Sequence, residues 1–277
     1  MKHVQLRDGE RVPALGQGTW DMGVHARKRP DEVAAIRAGI DLGMTLIDTA
    51  EMYADGAAES VVGEAIAGRR DEVFLVSKVL PRNATRRGVA DACARSLERL
   101  GTDRLDLYLL HWIEQVPLED TVAGLRDLQQ AGRIRHWGVS NLDRSEMETL
   151  WQLDGGRDVQ TNQLLYNLGE RGIEWDLLPW LRANGIPVMA YSPFDQARLL
   201  RRRGLRTFAE RHGMTPAQAA LAWLLSHGDV IPIPKSSHPA RVAENRAAAD
   251  IELTGGQRAE LDELFPPPTQ HTPLQML

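Results

Sequence analysis

The sequence predicts an α/β fold, a single (β/α)8 TIM barrel preceded by an N-terminal β-hairpin, and three observations predict it. Short runs rich in β-branched and apolar residues alternate with longer stretches of helical apolar spacing, the pattern of parallel strands joined by crossover helices. Eight such runs can be counted, which favours closure into a barrel. The competing open sheet requires a glycine-rich phosphate loop after its first strand. Gly16 and Gly18 begin that fingerprint, but Asp21 stands where its next glycine belongs and Gly23 comes two residues late.

Each element can be justified in turn. The opening HVQLRDGERVPAL reads as a hairpin turning at Asp8 and Gly9, and the first barrel strand follows at ALGQG near Ala14. The segment from Asp31 to Gly43 has helical spacing and ends on a glycine suited to a left-handed cap, as does the later helix closing at Gly101. The remaining strands are TLID, VFLVSK, LDLYLLH, HWGVS, VQTNQ, PVMAYS and VIPIPKS. Trp180 and Trp223 lie on helix-like segments and are expected in the core. No repeat or long linker interrupts the chain, so residues 1–277 are expected to form one domain; barrels often reach this size undivided. Only the tail 266–277, PPPTQHTPLQML, reads as loose, being rich in proline and polar residues.

Composition narrows the function. With 33 basic and 38 acidic residues the formal charge is −5, so no positive field exists to hold nucleic acid or an anionic membrane. Cys93, the lone cysteine, cannot form an internal disulfide, and the first residues lack an apolar signal core. A cytoplasmic monomer with a small-molecule substrate is the expectation. No window is long and apolar enough for a membrane span. The motifs HExxH, CxxC, GxxxxGK[ST] and GxSxG are missing, so neither a metal site nor a P-loop is expected. Asn83-Ala84-Thr85 matches a glycosylation sequon formally, but without an export signal it is expected to stay unmodified.

Barrels of this kind present reactive side chains at the C-terminal ends of their strands. Asp48, Lys78 and His111 stand at three such ends, after TLI, VFLVS and LDLYLL, and Tyr53 lies in the loop just past Asp48. Singly these residues have ordinary explanations: a strand-end aspartate caps a helix, a lysine reaches solvent, a histidine is structural. Together they bring four proton-handling groups to one rim. A free tyrosine titrates near ~10 and is a weak acid at neutral pH. An ammonium from Lys78 would favour its phenolate and draw it toward working pH, with Asp48 keeping the lysine charged and aimed. His111 could orient a substrate oxygen. As hydride reaches a carbonyl carbon, negative charge grows on the oxygen, where donors from Tyr53 and His111 would stabilise it.

At these residues the chain resembles the aldo-keto reductase family, through DTAEMYADGAAESVVGEAI, VFLVSK, LDLYLLHW, GVSN, AYSP and IPKSSHPARVAEN, in order and over nearly the whole length. The resemblance implies an NADPH-dependent carbonyl reductase on a (β/α)8 barrel, with Asp48, Tyr53, Lys78 and His111 matching the catalytic tetrad and Tyr53 as the acid. It implies further that Ser140, Asn141 and Gln163 hold the nicotinamide carboxamide, and that Tyr191, followed by Ser192 and Pro193, stacks on the ring. Lys235, Ser236, Ser237, Arg241, Glu244 and Asn245 match positions around the adenosine half. There a helix N-terminus suits phosphate, and Lys235 and Arg241 would meet the 2′-phosphate that separates NADPH from NADH. Trp20, Met52, Leu80 and Trp112 are candidates for a largely apolar substrate pocket suited to small aldehydes, ketones or dicarbonyls.

Two departures from the family pattern concern specificity: the C-terminal tail is short, and the loop after Pro193, FDQARLLRRRGL, is brief and basic. Arg198 to Arg203 either touch the pyrophosphate or form a solvated face. Two other readings stay open. One is a barrel lyase in which Lys78 forms a Schiff base, against which the Asp48 partner argues. The other is a cofactor-sensing regulatory subunit of the same fold.

Overall fold

The structure, a computed structural model, describes all residues 1–277. A two-stranded antiparallel hairpin comes first, β1 (His3–Gln5) and β2 (Arg11–Pro13), with Val4 opposite Val12. Eight parallel strands follow in one curled sheet, neighbours in chain order: β3 (Gln17–Gly18), β4 (Leu46–Asp48), β5 (Phe74–Val79), β6 (Leu105–Leu110), β7 (Ile134–Ser140), β8 (Asn162–Leu165), β9 (Val188–Tyr191) and β10 (Val230–Pro232). The strand expected at VQTNQ begins three residues later than its motif. Helices separate the strands: α1 (Arg29–Asp41), α2 (Ala57–Ile66), α3 (Arg86–Leu100), α4 (Leu118–Gln130), α5 (Arg144–Gln152) and α6 (Leu177–Ala183). They continue with α7 (Arg203–Arg211), α8 (Pro216–Leu225), α9 (Pro239–Ala247) and α10 (Gly255–Leu264). None is long and apolar enough to cross a membrane.

The two outer strands of the sheet also meet. Gly16 N–H donates to Pro232 O at 3.0 Å and Gly18 N–H to Pro234 O at 3.1 Å, and Gly18 pairs in parallel with Lys235. Glycine is required at position 18 because a Cβ there would sit 2.7 Å from the Ile233 carbonyl oxygen. The expected helix stops are present: Gly43 and Gly101 take φ of +83° and +62°, where glycine carries no Cβ penalty.

Strand parity then decides which side chains face inward. Leu46, Phe74, Val76, Leu107 and Leu109 pack with Met189 and Ile231 on the inner face, and the hairpin covers one end of that layer with Val4, Leu6 and Val12. Ile47, Leu75, Tyr108 and Leu110 point the other way, into the larger cluster beneath the helices that also holds Trp223. Because side chains alternate with period two, the next inward positions after Leu46, Val76 and Leu109 are Asp48, Lys78 and His111. At the hairpin end, Asp8 and Glu10 carboxylates meet opposite nitrogens of His136, and Arg135 bridges Glu10 and Asp106. These contacts clamp the hairpin to β7.

Candidate active site

At the other end of the sheet the inward residues form a buried hydrogen-bonded chain. Lys78 is fully buried and its Nζ donates to Asp48 Oδ2 at 2.8 Å, Thr49 O at 2.9 Å and Tyr53 Oη at 3.0 Å. Three acceptors use all three ammonium protons. Asp48 has a second donor, Gln163 Nε2 on Oδ1 at 2.7 Å, and Thr19 Oγ1 donates to its backbone carbonyl at 2.9 Å. Of the four residues expected on one rim, Asp48, Tyr53 and Lys78 are joined by these bonds and His111 lies beside them, its ring centroid 5.9 Å from that of Tyr53 at a steep angle.

Tyr53 owes its position to the loop after β4. Its N–H donates to Ala50 O, and the next two residues, Ala54 and Asp55, hold left-handed φ of 50° and 51°. Such backbone is uncommon for non-glycine residues and is found where surrounding structure over-determines it. Part of that surround is Glu51, which the sequence reading missed: buried, it accepts from Leu80 N–H at 2.8 Å and Asn83 Nδ2 at 2.9 Å. This bond ties the Tyr53 loop to the turn after β5. It also corrects one expectation, since Leu80 is buried in that turn and does not line the cleft.

The electrostatics correct another. Burial pushes the Tyr53 phenol above its ordinary value; Lys78 opposes the rise and Asp48 adds to it. The downward pull expected from Lys78 exists, but desolvation outweighs it. Burial disfavours the Lys78 charge, yet Asp48 and Tyr53 more than restore it and the ammonium titrates above its usual range. His111 is pushed down to about 2, by burial first and Lys78 second, so its imidazole is neutral at working pH. That displacement has a measurable consequence. Below its unfolded value of about 6.5 the unfolded chain takes up a proton that folded His111 refuses, so stability falls as pH drops from there toward 2. We expect His111→Gln to flatten the decline of Tm between neutral pH and pH ~4; a slope equal to that of the parent would show His111 not to be buried neutral.

The chain opens into a cleft of about 1050 Å³. Along one wall Asn141 Nδ2 donates to His111 O at 3.1 Å and to Ser140 Oγ at 3.1 Å, while Tyr191 Oη donates to Asn141 Oδ1 at 2.9 Å. Ser140 Oγ in turn donates to the Gln163 backbone carbonyl at 2.8 Å. Ser192, Lys235, Ser236, Arg241, Glu244 and Asn245 also line the cleft, whereas Ser237 does not. Of the expected substrate residues, Trp20, Met52 and Trp112 line it. Of the arginines in the basic loop only Arg201 reaches it: Arg198 pairs with Asp195, and Arg202 and Arg203 face a separate hollow under the tail. Residues 266–277 form no helix or strand, but Leu274 packs on the core and Met276 and Leu277 stand in the cleft wall. Proline and polar composition gave no sign of that placement.

Comparison with known proteins identifies the family. The aldo/keto reductase family model matches residues 14–265. Methylglyoxal reductase YeaE of Escherichia coli is 52% identical, covering 100% of this chain and 99% of the relative. Glyoxal reductase of Bacillus subtilis is 32% identical over 94% of this chain and 92% of its own. Among solved structures, an aldo/keto reductase from Klebsiella pneumoniae in complex with NADP and acetate superposes with a TM-score of 0.97 at 50% identity, covering 100% of this chain and 99% of that one. With the family model spanning most of its length, this chain belongs to the aldo/keto reductase family.

Proposed function

We propose that this protein reduces small aldehydes, ketones or α-dicarbonyls to alcohols with NADPH, on a closed (β/α)8 barrel formed by one domain, with Tyr53 as the general acid. The observation that carries the reading is the buried Tyr53–Lys78–Asp48 chain, whose phenol end opens into a cleft large enough for a dinucleotide and a small substrate. The hydrogen bonds joining β3 to the turn after β10 support closure of the barrel.

The donor set fits the cofactor. Tyr191 offers a half-buried ring for stacking, and Ser140, Asn141 and Gln163 cluster beside it with amide and hydroxyl groups for a carboxamide. Lys235 and Arg241, cations free of carboxylate partners, would hold the 2′-phosphate; Arg246, on the same helix as Arg241, is by contrast tied to Asp250. When bound, NADPH supplies the hydride that adds to the carbonyl carbon. Tyr53 Oη, protonated because burial holds its pKa high, hydrogen-bonds the carbonyl oxygen and delivers its proton as charge develops there. Lys78 Nζ, 3.0 Å away, stabilises the phenolate left behind. Neutral His111 gives one N–H to the same oxygen and so orients the carbonyl. Trp20, Met52 and Trp112 form the apolar wall for the substrate carbon.

Lys78 as a Schiff-base nucleophile is the weaker reading, since its nitrogen is a charged donor to three acceptors and has no free lone pair. Oxidation of NADPH by purified protein across a panel of aldehydes, ketones and α-dicarbonyls tests the proposal, with borohydride trapping as the control; a covalent adduct at Lys78 with no NADPH turnover would overturn it. We also expect Arg241→Ala to weaken NADPH by about 10-fold or more while leaving NADH within a factor of about 2, because only NADPH carries the extra phosphate. Fluorescence titration of both nucleotides measures this, and equal losses would remove Arg241 from the phosphate site.

A further inference from the structure

The side-chain amide of Gln163 has only one way to face Asp48. A carboxylate accepts and cannot donate, so the atom 2.7 Å from Asp48 Oδ1 must be the amide nitrogen, and the amide oxygen is thereby turned away. No protein donor reaches that oxygen, and the residue lines the cleft. Both side chains are almost wholly buried, Gln163 at 1% and Asp48 at 2% exposure, so the bond is shielded from water. The two Asp48 oxygens are thus held by different donors: Oδ2 by Lys78 and Oδ1 by Gln163. Lys78 in turn reaches Tyr53.

We infer that Gln163 is a positioning residue for proton transfer: its amide N–H fixes the free oxygen of Asp48, and through Asp48 and Lys78 it sets the proton affinity of Tyr53. This rests on the function proposed above and adds to a carboxamide-binding role a second one, at the other end of the same amide. One rigid group then joins the cofactor side of the cleft to the acid. When its oxygen accepts from a carboxamide N–H₂, its N–H becomes more polarised and grips Asp48 more firmly, since chained hydrogen bonds reinforce one another.

The sign of the effect follows from charge. Four titratable groups face the Tyr53 phenol from the surrounding elements: Lys78 on β5, Asp48 at the end of β4, His111 after β6 and Tyr191 on β9. Lys78 lowers the phenol and Asp48 raises it. Neutral His111 carries no charge at working pH. The Gln163 dipole disperses Asp48 charge away from Tyr53 and Lys78. Removing it concentrates that charge on the side of the phenol, so Tyr53 must bind its proton more tightly.

Gln163→Met, of similar length but without a donor, is therefore expected to raise the Tyr53 titration in the cofactor-free protein. The readout is the ¹³Cζ resonance of labelled tyrosine, assigned by its loss in Tyr53→Phe. At saturating NADPH and substrate, the alkaline limb of kcat for reduction should move up by about 0.5 to 1 pH unit, the size expected when one hydrogen bond to a charged partner is lost. Ser140→Ala is the companion variant: it disturbs the same carboxamide pocket without touching Asp48, so it should weaken cofactor binding and leave both titrations in place. If Gln163→Met weakens NADPH but moves neither the resonance nor the limb, Gln163 is a cofactor ligand only and the inference is overturned. If Tyr53→Phe retains turnover, the proposed function itself has failed, and the two failures are told apart by that variant.

Discussion

Tyr53→Phe is expected to lower kcat for carbonyl reduction by about 10³-fold or more, within the range ascribed to a positioned general acid and the loss of its transition-state hydrogen bond. Only the phenolic oxygen is removed. The ring stays edge-on to His111, and the loop is still held by the Ala50 carbonyl and by Glu51, which accepts from Leu80 N–H of the neighbouring turn. Cofactor affinity should therefore be nearly unchanged, because no group facing the nucleotide pocket has moved. Lys78 loses one acceptor but keeps Asp48 and the Thr49 carbonyl, so the ion pair survives. His111→Gln should reduce kcat less, by about 10²-fold, since it removes one donor to the developing oxyanion while the acid remains. Stopped-flow reduction with one α-dicarbonyl, combined with NADPH fluorescence titration, separates chemistry from binding. A Tyr53→Phe enzyme with parental kcat would exclude the phenol as the proton source. One with lost kcat and equally lost NADPH binding would point to a disrupted cleft instead.

Strand parity explains how much of this arrangement the sequence could reveal. TLID, VFLVSK and LDLYLLH each put an ionisable residue at the inward position that ends an apolar run, and three such endings in one order define a rim before any coordinates are known. Tyr53 was legible for the same reason, as the phenol nearest Asp48 in the chain. The sign of its pKa was not legible: a neighbouring cation can be read from spacing, whereas the desolvation of the phenol depends on walls supplied by distant segments. Glu51 was invisible because its partners, Leu80 N–H and Asn83, lie in a different loop, and an acid in a DTAEMY motif looks like any solvated carboxylate. The bond from Gln163 to Asp48 spans 115 positions, and no local pattern encodes it. The tail misled by composition. Prolines and polar residues argue against regular structure, and residues 266–277 have none, but they do not decide whether an irregular segment lies free or along a cleft.

Lys78→Met should be the most destabilising single change in the site, and it separates the structural from the chemical part of the ion pair. The ammonium is fully buried and Asp48 is at 2% exposure; its removal leaves a carboxylate in a dry site with Gln163 as its sole side-chain donor. Breaking such a pair on one side costs about 3–5 kcal/mol, which chemical denaturation should register as a lower midpoint with an unchanged slope. Turnover should vanish too, since nothing then stabilises the phenolate that forms as Tyr53 gives up its proton. The double variant Lys78→Met with Asp48→Leu removes the stranded charge, and replacing buried ion pairs by apolar groups is often neutral or stabilising. Most of the lost stability should therefore return. Activity should not, because the apolar pair offers Tyr53 no cation. If turnover came back with stability, Lys78 would be acting as packing alone, and Tyr53 would have to give up its proton without help from a neighbouring cation.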